Sequence, residues 1–129
     1  MPVTYTIDVS RRVIRTRCFG NLTLAEVVDH FRELAEDPAC PSQLDVLLDL
    51  SGTESLPESD QLMSVTLELG KIRQRVQFGL CAVIAERDAL FGMMRIFEVK
   101  AEKYFRELQV FRVATEAEKW LAKPRLPVH

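Results

Sequence analysis

The stretch Asp45-Val-Leu-Leu-Asp-Leu-Ser-Gly52 decides the fold of this 129-residue chain. Its apolar run is interrupted only by Asp49, and a Ser-Gly pair follows it. This pattern is typical of a strand that is covered on both faces and runs into a loop. Ligand crevices in open α/β sheets lie at the carboxyl ends of the strands. Asp49 and Ser51 therefore mark the edge where a site is expected.

Four other segments supply the remaining strands. Phe78–Ala85 carries no charge and predicts a second fully buried strand. Alternating apolar residues across Val3–Val9 and Arg12–Phe19 predict an antiparallel hairpin, and Leu108–Val113 predicts the last strand. The order of elements predicts one α/β domain over residues 1–129. We expect a mixed, mainly parallel sheet of about five strands, with the two buried strands in its interior and about four helices on its two sides.

The second hairpin strand has two rows of side chains. Thr16 and Cys18 belong to the inward row, which begins at Val13 or at Ile14. The opposite row is basic and contains Arg11, Arg12, Arg15 and Arg17. Such a row can be an anion site, but a charged strand that resists edge-to-edge aggregation is commoner, and we favour that interpretation.

Helix signals separate the strands. Thr23 and Glu26 form a capping-box pair, and Asp37-Pro38 ends that helix. The second helix starts at Ser55, which pairs with Glu58, or at Ser59. Its predicted buried seam consists of Leu62, Val65, Leu69, Ile72 and Val76, while Met63 and Leu67 fall outside that seam.

Two further helices follow the second buried strand. Asp88 is the predicted N-cap of a long helix that runs to about Phe105. Thr115 to Glu118 reads as another capping box. It opens a terminal helix that buries Ala117, Trp120 and Leu121 against the sheet, and Lys123-Pro124 ends it.

Composition excludes several classes of function. The net charge of −2 provides no positive field for nucleic acid, and no apolar run approaches the roughly 20 residues that span a bilayer. The amino terminus lacks a signal-peptide pattern, so we expect a cytoplasmic protein. Three separated cysteines and two histidines lack metal-ligand spacing. Cys18 and Cys81 are expected in the core, Cys40 is expected to be accessible, and no metal or cofactor is predicted.

The polar candidates lie at the carboxyl edge of the sheet. Asp49, Ser51, Glu86 and Arg87 follow the two buried strands and could line a crevice there. His30 is expected at the polar margin of the first helix, where a surface histidine is commoner than a catalytic base. No spacing joins these groups into a catalytic set, and no phosphate-binding glycine loop is present.

The long helix carries more apolar residues than one buried stripe can use. Leu90, Met94, Phe97 and Ala101 share one face at helical spacing. The candidate ligand or partner surface lies away from it and consists of Phe91, Met93, Ile96 and Val99. These side chains could line a cleft, face a membrane or meet a second subunit. The balanced charges of the helix argue against a membrane surface, so a dimer interface or a lid is the better interpretation.

Two motifs resemble a known family. The element order with Leu48-Asp-Leu-Ser-Gly52 resembles STAS domains, and Val110-Phe-Arg-Val-Ala-Thr-Glu-Ala-Glu-Lys-Trp-Leu121 resembles the ending of their SpoIIAA-like bacterial branch. The resemblance covers nearly the whole chain and implies a STAS-like fold, with kinship to the lipid-binding CRAL-TRIO domains. It also implies a phosphorylated serine. When the STAS motif is aligned without gaps from Asp49-Leu-Ser-Gly52 onward, that serine falls on Ser59. Pro57, Glu58 and Asp60 depart from that motif, and the carboxylates of Glu58 and Asp60 would repel a phosphate.

Three functions remain open at this point. The first is a non-enzymatic binding or regulatory module that meets a protein partner or a second copy of itself. The second is a protein that binds a small apolar molecule or lipid, with peripheral membrane contact. The third is an enzyme that uses Asp49, Ser51, Glu86 and His30 at the carboxyl edge.

Overall fold

The computed structural model describes residues 3–54, 59–72 and 75–122. They form one five-stranded sheet in the order β1-β2-β3-β4-β5. The elements, in chain order, are β1 (Val3–Asp8), β2 (Val13–Gly20), α1 (Leu24–Glu36), β3 (Gln43–Thr53), α2 (Ser59–Ile72), β4 (Gln77–Ile84), α3 (Asp88–Ala101), a 3₁₀ turn (Glu102–Tyr104), β5 (Glu107–Phe111) and α4 (Ala114–Leu121). β1 pairs antiparallel with β2, and all other pairs are parallel. The predicted mixed α/β fold is confirmed.

The strand β3 lies at the centre of the sheet, between β2 and β4. Val46 and Leu50 face the larger core, whereas Leu47 faces a smaller core on the opposite side of the sheet. The neighbouring strand β4 divides its apolar side chains between the same two cores. The prediction that both buried strands are interior is therefore confirmed, and the nearly continuous apolar runs reflect cover on both faces.

The helices are unequally divided between the two faces. α1, α2 and α3 cover the larger core, and among the described helices α4 alone packs against β3, β4 and β5 on the other face. The start of β2 is therefore buried on both sides. Val13 packs in the smaller core and Ile14 in the larger one. Both residues are therefore buried, and the row that contains Thr16 and Cys18 begins at Ile14.

Local signals place the ends of α1 correctly. Glu26 N donates to Thr23 Oγ1 at 3.3 Å, and Thr23 N donates to Glu26 Oε1 at 3.1 Å. This reciprocal pair is the predicted capping box. The helix ends at Glu36, and Asp37 is extended before Pro38, as expected for a residue that precedes proline.

The described part of α2 begins at Ser59, and the residues that would show which of the two predicted starts is used, including the pair of Ser55 with Glu58, lie outside the described residues. The predicted seam is buried or half-buried throughout, and Val76 follows the helix rather than ending it.

The predicted bounds of α3 are wrong at both ends. Arg87 is the N-cap residue, and Asp88 is already the first helical residue; its carboxylate pairs with Arg112 at 2.6 Å. The helix ends at Ala101 and tightens into a 3₁₀ turn rather than continuing to Phe105. That turn brings Tyr104 against Gly70 of α2, where its hydroxyl lies 3.1 Å from the position that a Cβ would occupy.

The predicted capping box of α4 is also wrong. The helix begins at Ala114, its N-cap residue is Val113, and no side chain caps it. Glu118 instead pairs with Arg15 of β2, with Nη2 and Oε1 3.3 Å apart. The preceding strand ends at Phe111 rather than Val113, and the predicted stop at Lys123-Pro124 lies outside the described residues.

Candidate functional site

An apolar cleft opens toward the carboxyl edge of the sheet, beneath α1, α2 and α3. Its volume is about 100 Å³. The lining is almost entirely aliphatic and aromatic and includes Leu22, Leu48, Leu50, Leu62, Met94 and Phe97. Thr53 is a polar member of the lining, and its hydroxyl donates to the Leu50 carbonyl at 2.8 Å. The walls can therefore hold apolar groups, and none of the described lining residues carries a charge.

Asp49 and Ser51 do not line this cleft. Leu48 and Leu50 do, so strand alternation directs the Asp49 side chain to the opposite face of β3, where it lines a shallow groove with Arg17. Asp49 Oδ1 accepts from Ser51 N at 3.0 Å and from Ser51 Oγ at 2.6 Å. The structure thus brings these two residues together in a local turn motif at the strand end.

Glu86 and Arg87 connect loops at the same edge of the sheet. Arg112 Nη1 lies 3.4 Å from the Glu86 carbonyl oxygen, and Arg87 Nη1 lies 3.3 Å from the Glu54 carbonyl oxygen. Both side chains are exposed, and neither belongs to the lining of the apolar cleft. Of the predicted carboxyl-edge residues, Asp49 and Ser51 therefore contact each other in a local turn, whereas Glu86 and Arg87 each make a separate contact between loops.

His30 is buried, so its predicted surface position is wrong. Its Nε2 lies 3.1 Å from Thr16 Oγ1, and its ring centroid is 5.2 Å from that of Tyr5. Sequence reasoning missed this contact because it depends on α1 lying over the β1–β2 hairpin. Burial lowers the pKa of His30 to about 4, so the imidazole is neutral at pH 7. Thr16, its hydrogen-bond partner, is also buried. Neither side chain is therefore accessible to a substrate.

The four residues that formed the predicted surface of α3 fall into two pairs. Phe91 and Met93 are half-buried and pack against the larger core. The guanidinium carbon of Arg112 lies 4.3 Å from the Phe91 ring centroid, which is a cation–π contact. Ile96 and Val99 are exposed over 43% and 68% of their surface. Only this second pair presents large apolar side chains to solvent.

Met63 and Leu67 of α2 are exposed over 44% and 59% of their surface. Gly70 marks the side of α2 that faces Tyr104, just beyond α3. Residues three and seven positions earlier share that side of a helix, so Leu67 and Met63 lie toward α3. The opposite side faces α1, where Glu68 pairs with Arg32 at 3.1 Å.

Ile96 completes this surface from the other helix. It points about 140° away from Phe91 around α3, hence away from Arg112 and β5 and toward α2. We call Met63, Leu67, Ile96 and Val99 the α2–α3 surface. The sequence showed that Met63 and Leu67 fall outside their buried seam but did not join them to α3. The signal that could have done so is the pair of parallel β-α-β connections, which places α2 and α3 side by side.

The described residues contain no group of histidine, cysteine and acidic side chains that could hold a metal ion. Cys18 and Cys81 are buried as predicted, and Cys40 is half-buried. Burial raises the pKa of Cys18 to about 12, so its thiol stays protonated near neutral pH. These thiols behave as core side chains.

Comparison with protein-family models and with curated proteins gives no match. The SpoIIAA-like resemblance therefore rests on the two sequence motifs and stays a prediction. Within the described part of the chain, every helix is too short or too polar to cross a bilayer.

Proposed function

We propose that this chain is a non-enzymatic STAS-like binding and regulatory module that pairs with a second copy of itself through the α2–α3 surface. One observation carries the proposal: four large apolar side chains are exposed on two helices that pack beside each other. Scattered single residues of this kind are ordinary, whereas a contiguous patch marks an interaction site. Burial of such a patch contributes roughly 25 cal/mol per Å² of apolar area removed from water.

A second copy is the occupant that the composition of this surface favours. A two-fold axis through the α2–α3 surface makes the two copies present the same apolar side chains to each other, so the patch is its own complement. The net charge of −2 adds little repulsion between copies.

The regulatory part of the proposal comes from the STAS-like resemblance, together with a cytoplasmic location in a bacterium. In the sequence, Ser59 is flanked by Glu58 and Asp60, whose carboxylates would repel a phosphate. We therefore assign Ser59 no phosphorylation in this function. An enzymatic role finds little support, because the Asp49–Ser51 motif and the buried His30 lie on opposite faces of the sheet.

The experiment compares the parent with a double variant, Leu67→Ser with Ile96→Ser. Sedimentation velocity should show a dimer for the parent and a monomer for the double variant, because two central side chains of the interface are lost. Both positions are exposed, so the fold should persist, which circular dichroism checks. The matched control, Val9→Ser with Val113→Ser, changes two exposed apolar residues outside the α2–α3 surface and should leave the dimer intact. A monomeric parent, or equal effects of both double variants, contradicts the proposal.

A second candidate function is supported by the apolar cleft. Its volume of about 100 Å³ is close to that of apolar cavities that bind benzene and is well below the range for drug-sized ligands. This size suits a small apolar molecule rather than a whole lipid. Native mass spectrometry of the freshly purified protein tests both functions together. A monomer that retains a small apolar mass supports the second function, and a ligand-free dimer supports the first.

A further inference from the structure

A polar cavity of about 420 Å³ opens at the amino edge of the sheet, at the opposite end of the strands from the apolar cleft. Its lining includes Gln43 and Gln77, the first residues of β3 and β4. Arg12 enters it from the turn before β2, Lys103 from the 3₁₀ turn and Arg106 from the residue before β5. We call this space the amino-edge cavity. Its volume lies within the usual range for sites that bind small organic molecules.

The three cations make this cavity positive in a chain whose net charge is negative. The ion pairs among the described residues use Arg15, Arg32, Lys71, Arg95 and Arg112, and none of them uses Arg12, Lys103 or Arg106. Asp45 is the carboxylate of the lining; it is 2% exposed, and its Oδ1 accepts from Leu80 N at 2.8 Å. The exposed charges of the cavity are therefore cationic.

Helix dipoles do not account for these cations. Lys71 and Lys100 already occupy the last turns of α2 and α3, where cations stabilise a helix. Lys103 and Arg106 lie beyond the end of α3, and Arg12 belongs to the hairpin turn. Three separate segments of the chain thus bring positive charge to one cavity.

The backbone at Arg12 is unusual for an arginine. Its φ is +56°, in the left-handed region that glycine and asparagine adopt most readily. The Arg12 carbonyl accepts from Asp45 N at 2.8 Å, which ties this conformation to the start of β3. A disfavoured backbone conformation that carries a cation into a cavity points to a task for that side chain beyond folding.

We propose that the amino-edge cavity binds a small organic molecule that carries a dianionic phosphate group. Arginine guanidinium groups match two phosphate oxygens at once, and Lys103 adds a point charge. The amides of Gln43 and Gln77 can donate to the remaining oxygens. Tyr104 also lines the cavity, and Lys103 Nζ lies 5.2 Å from its ring centroid, a contact that helps to hold the ammonium group at the cavity. This inference is independent of self-association, because it uses neither α2–α3 surface residues nor the dimer.

The test is a titration of the ¹⁵N-labelled full chain with phenyl phosphate, followed by amide resonances. We expect saturable shifts centred on Gln43, Gln77 and Gly79, which all line the cavity. Lys103→Ala with Arg106→Ala should weaken binding by roughly tenfold or more, since each removed cation takes a charge-assisted hydrogen bond with it. Arg17→Ala with Lys119→Ala removes the same charge from exposed positions outside this cavity and should change affinity by about twofold at most.

Arg12→Gly provides a second, independent variant. Glycine adopts the left-handed backbone readily, so the melting temperature should not fall, while phenyl phosphate binding should weaken by roughly tenfold. The proposal is overturned by the absence of saturable shifts or by equal losses in the two paired variants. It is also overturned if neutral benzyl alcohol binds as tightly as phenyl phosphate, because the site would then be apolar.

Discussion

At the residue scale, His30 is the clearest example of a side chain whose character is decided by its surroundings. It is enclosed by Tyr5, Phe31 and Thr16, and burial moves its pKa from the usual 6.5 to about 4. Between about pH 4 and pH 6.5, His30 binds a proton in the unfolded chain but stays neutral in the folded chain. The contribution of His30 to stability is therefore complete above about pH 6.5 and is lost as the pH falls toward 4.

We expect His30→Gln to reduce the acid sensitivity of folding. Glutamine does not titrate and can still form a hydrogen bond with Thr16, so the variant should lose less stability between pH 7 and pH 4 than the parent does. The difference should reach roughly 3 kcal/mol, which corresponds to a pKa shift of about two and a half units. Urea unfolding at several pH values measures it, with His129→Gln as the control for the other histidine. Identical pH profiles for parent and His30→Gln would show that His30 is already protonated in the folded protein or has an ordinary pKa.

At the element scale, α4 depends on a small set of contacts because, among the described elements, it is the one that covers its face of the sheet. Ala117 and Leu121 are buried against Phe111 and its neighbours, and the Trp120 ring centroid lies 5.6 Å from that of Phe111. Trp120 is half-buried rather than fully buried, since α4 lies near the edge strand β5. The ion pair between Arg15 and Glu118 is exposed and contributes at most about 1 kcal/mol.

Trp120→Ala should lower the free energy of unfolding by about 2–3 kcal/mol. This is less than the cost of roughly 3–5 kcal/mol for a fully buried tryptophan, because part of the ring already contacts water. Thermal unfolding followed by circular dichroism measures the change. Lys119→Ala, an exposed neighbour on the same helix, is the control and should stay within about 0.5 kcal/mol of the parent. An unchanged melting temperature in Trp120→Ala would mean that α4 does not stabilise the sheet.

At the scale of the whole molecule, the sheet divides the protein into two cores of unequal size. Cys18 on β2 and Cys81 on β4 both face the larger core, beneath α1, α2 and α3. Burial raises the pKa of both thiols. Cys40, between α1 and β3, is half-buried, and its pKa is also raised by partial burial and then by Asp37. Cys18 and Cys81 therefore report on the larger core, whereas Cys40 reports on the segment between α1 and β3.

We expect a thiol-alkylating reagent to modify Cys40 first. Cys18 and Cys81 should react at least about 100-fold more slowly and in step with each other, because both become accessible only when the larger core opens. Mass spectrometry of proteolytic fragments after timed pulses measures the three rates. Low concentrations of urea should accelerate Cys18 and Cys81 equally. Rapid reaction of Cys18 alone would show that the hairpin separates from the rest of the sheet.

Elements governed by neighbouring residues were predictable from the sequence. The uncharged run Phe78–Ala85 predicted a strand with both faces covered, and Thr23 with Glu26 forms a cap across a single turn. Asp37 ends α1 because proline restricts the residue before it. In each case the interacting groups lie a few positions apart, so their geometry follows from helix or strand periodicity alone.

Tertiary structure decided the features whose partners are far apart in the chain. Glu118 has a suitable spacing to cap α4, yet it pairs with Arg15, which is 103 positions away. Asp88 has a capping side chain, but Arg112 takes its carboxylate. A local cap contributes about 1 kcal/mol, so a distant cation brought close by the fold can replace it.

The two proposed surfaces have the same origin. Periodicity identified Leu67 and Ile96 as apolar residues outside their buried seams, but only the packing of α2 beside α3 joins them. Arg12, Lys103 and Arg106 carry no shared motif, and the amino edge of the sheet brings them to one cavity. Sequence patterns report which face of an element is apolar or charged, whereas the meeting of two such faces depends on strand order, which the local sequence does not contain.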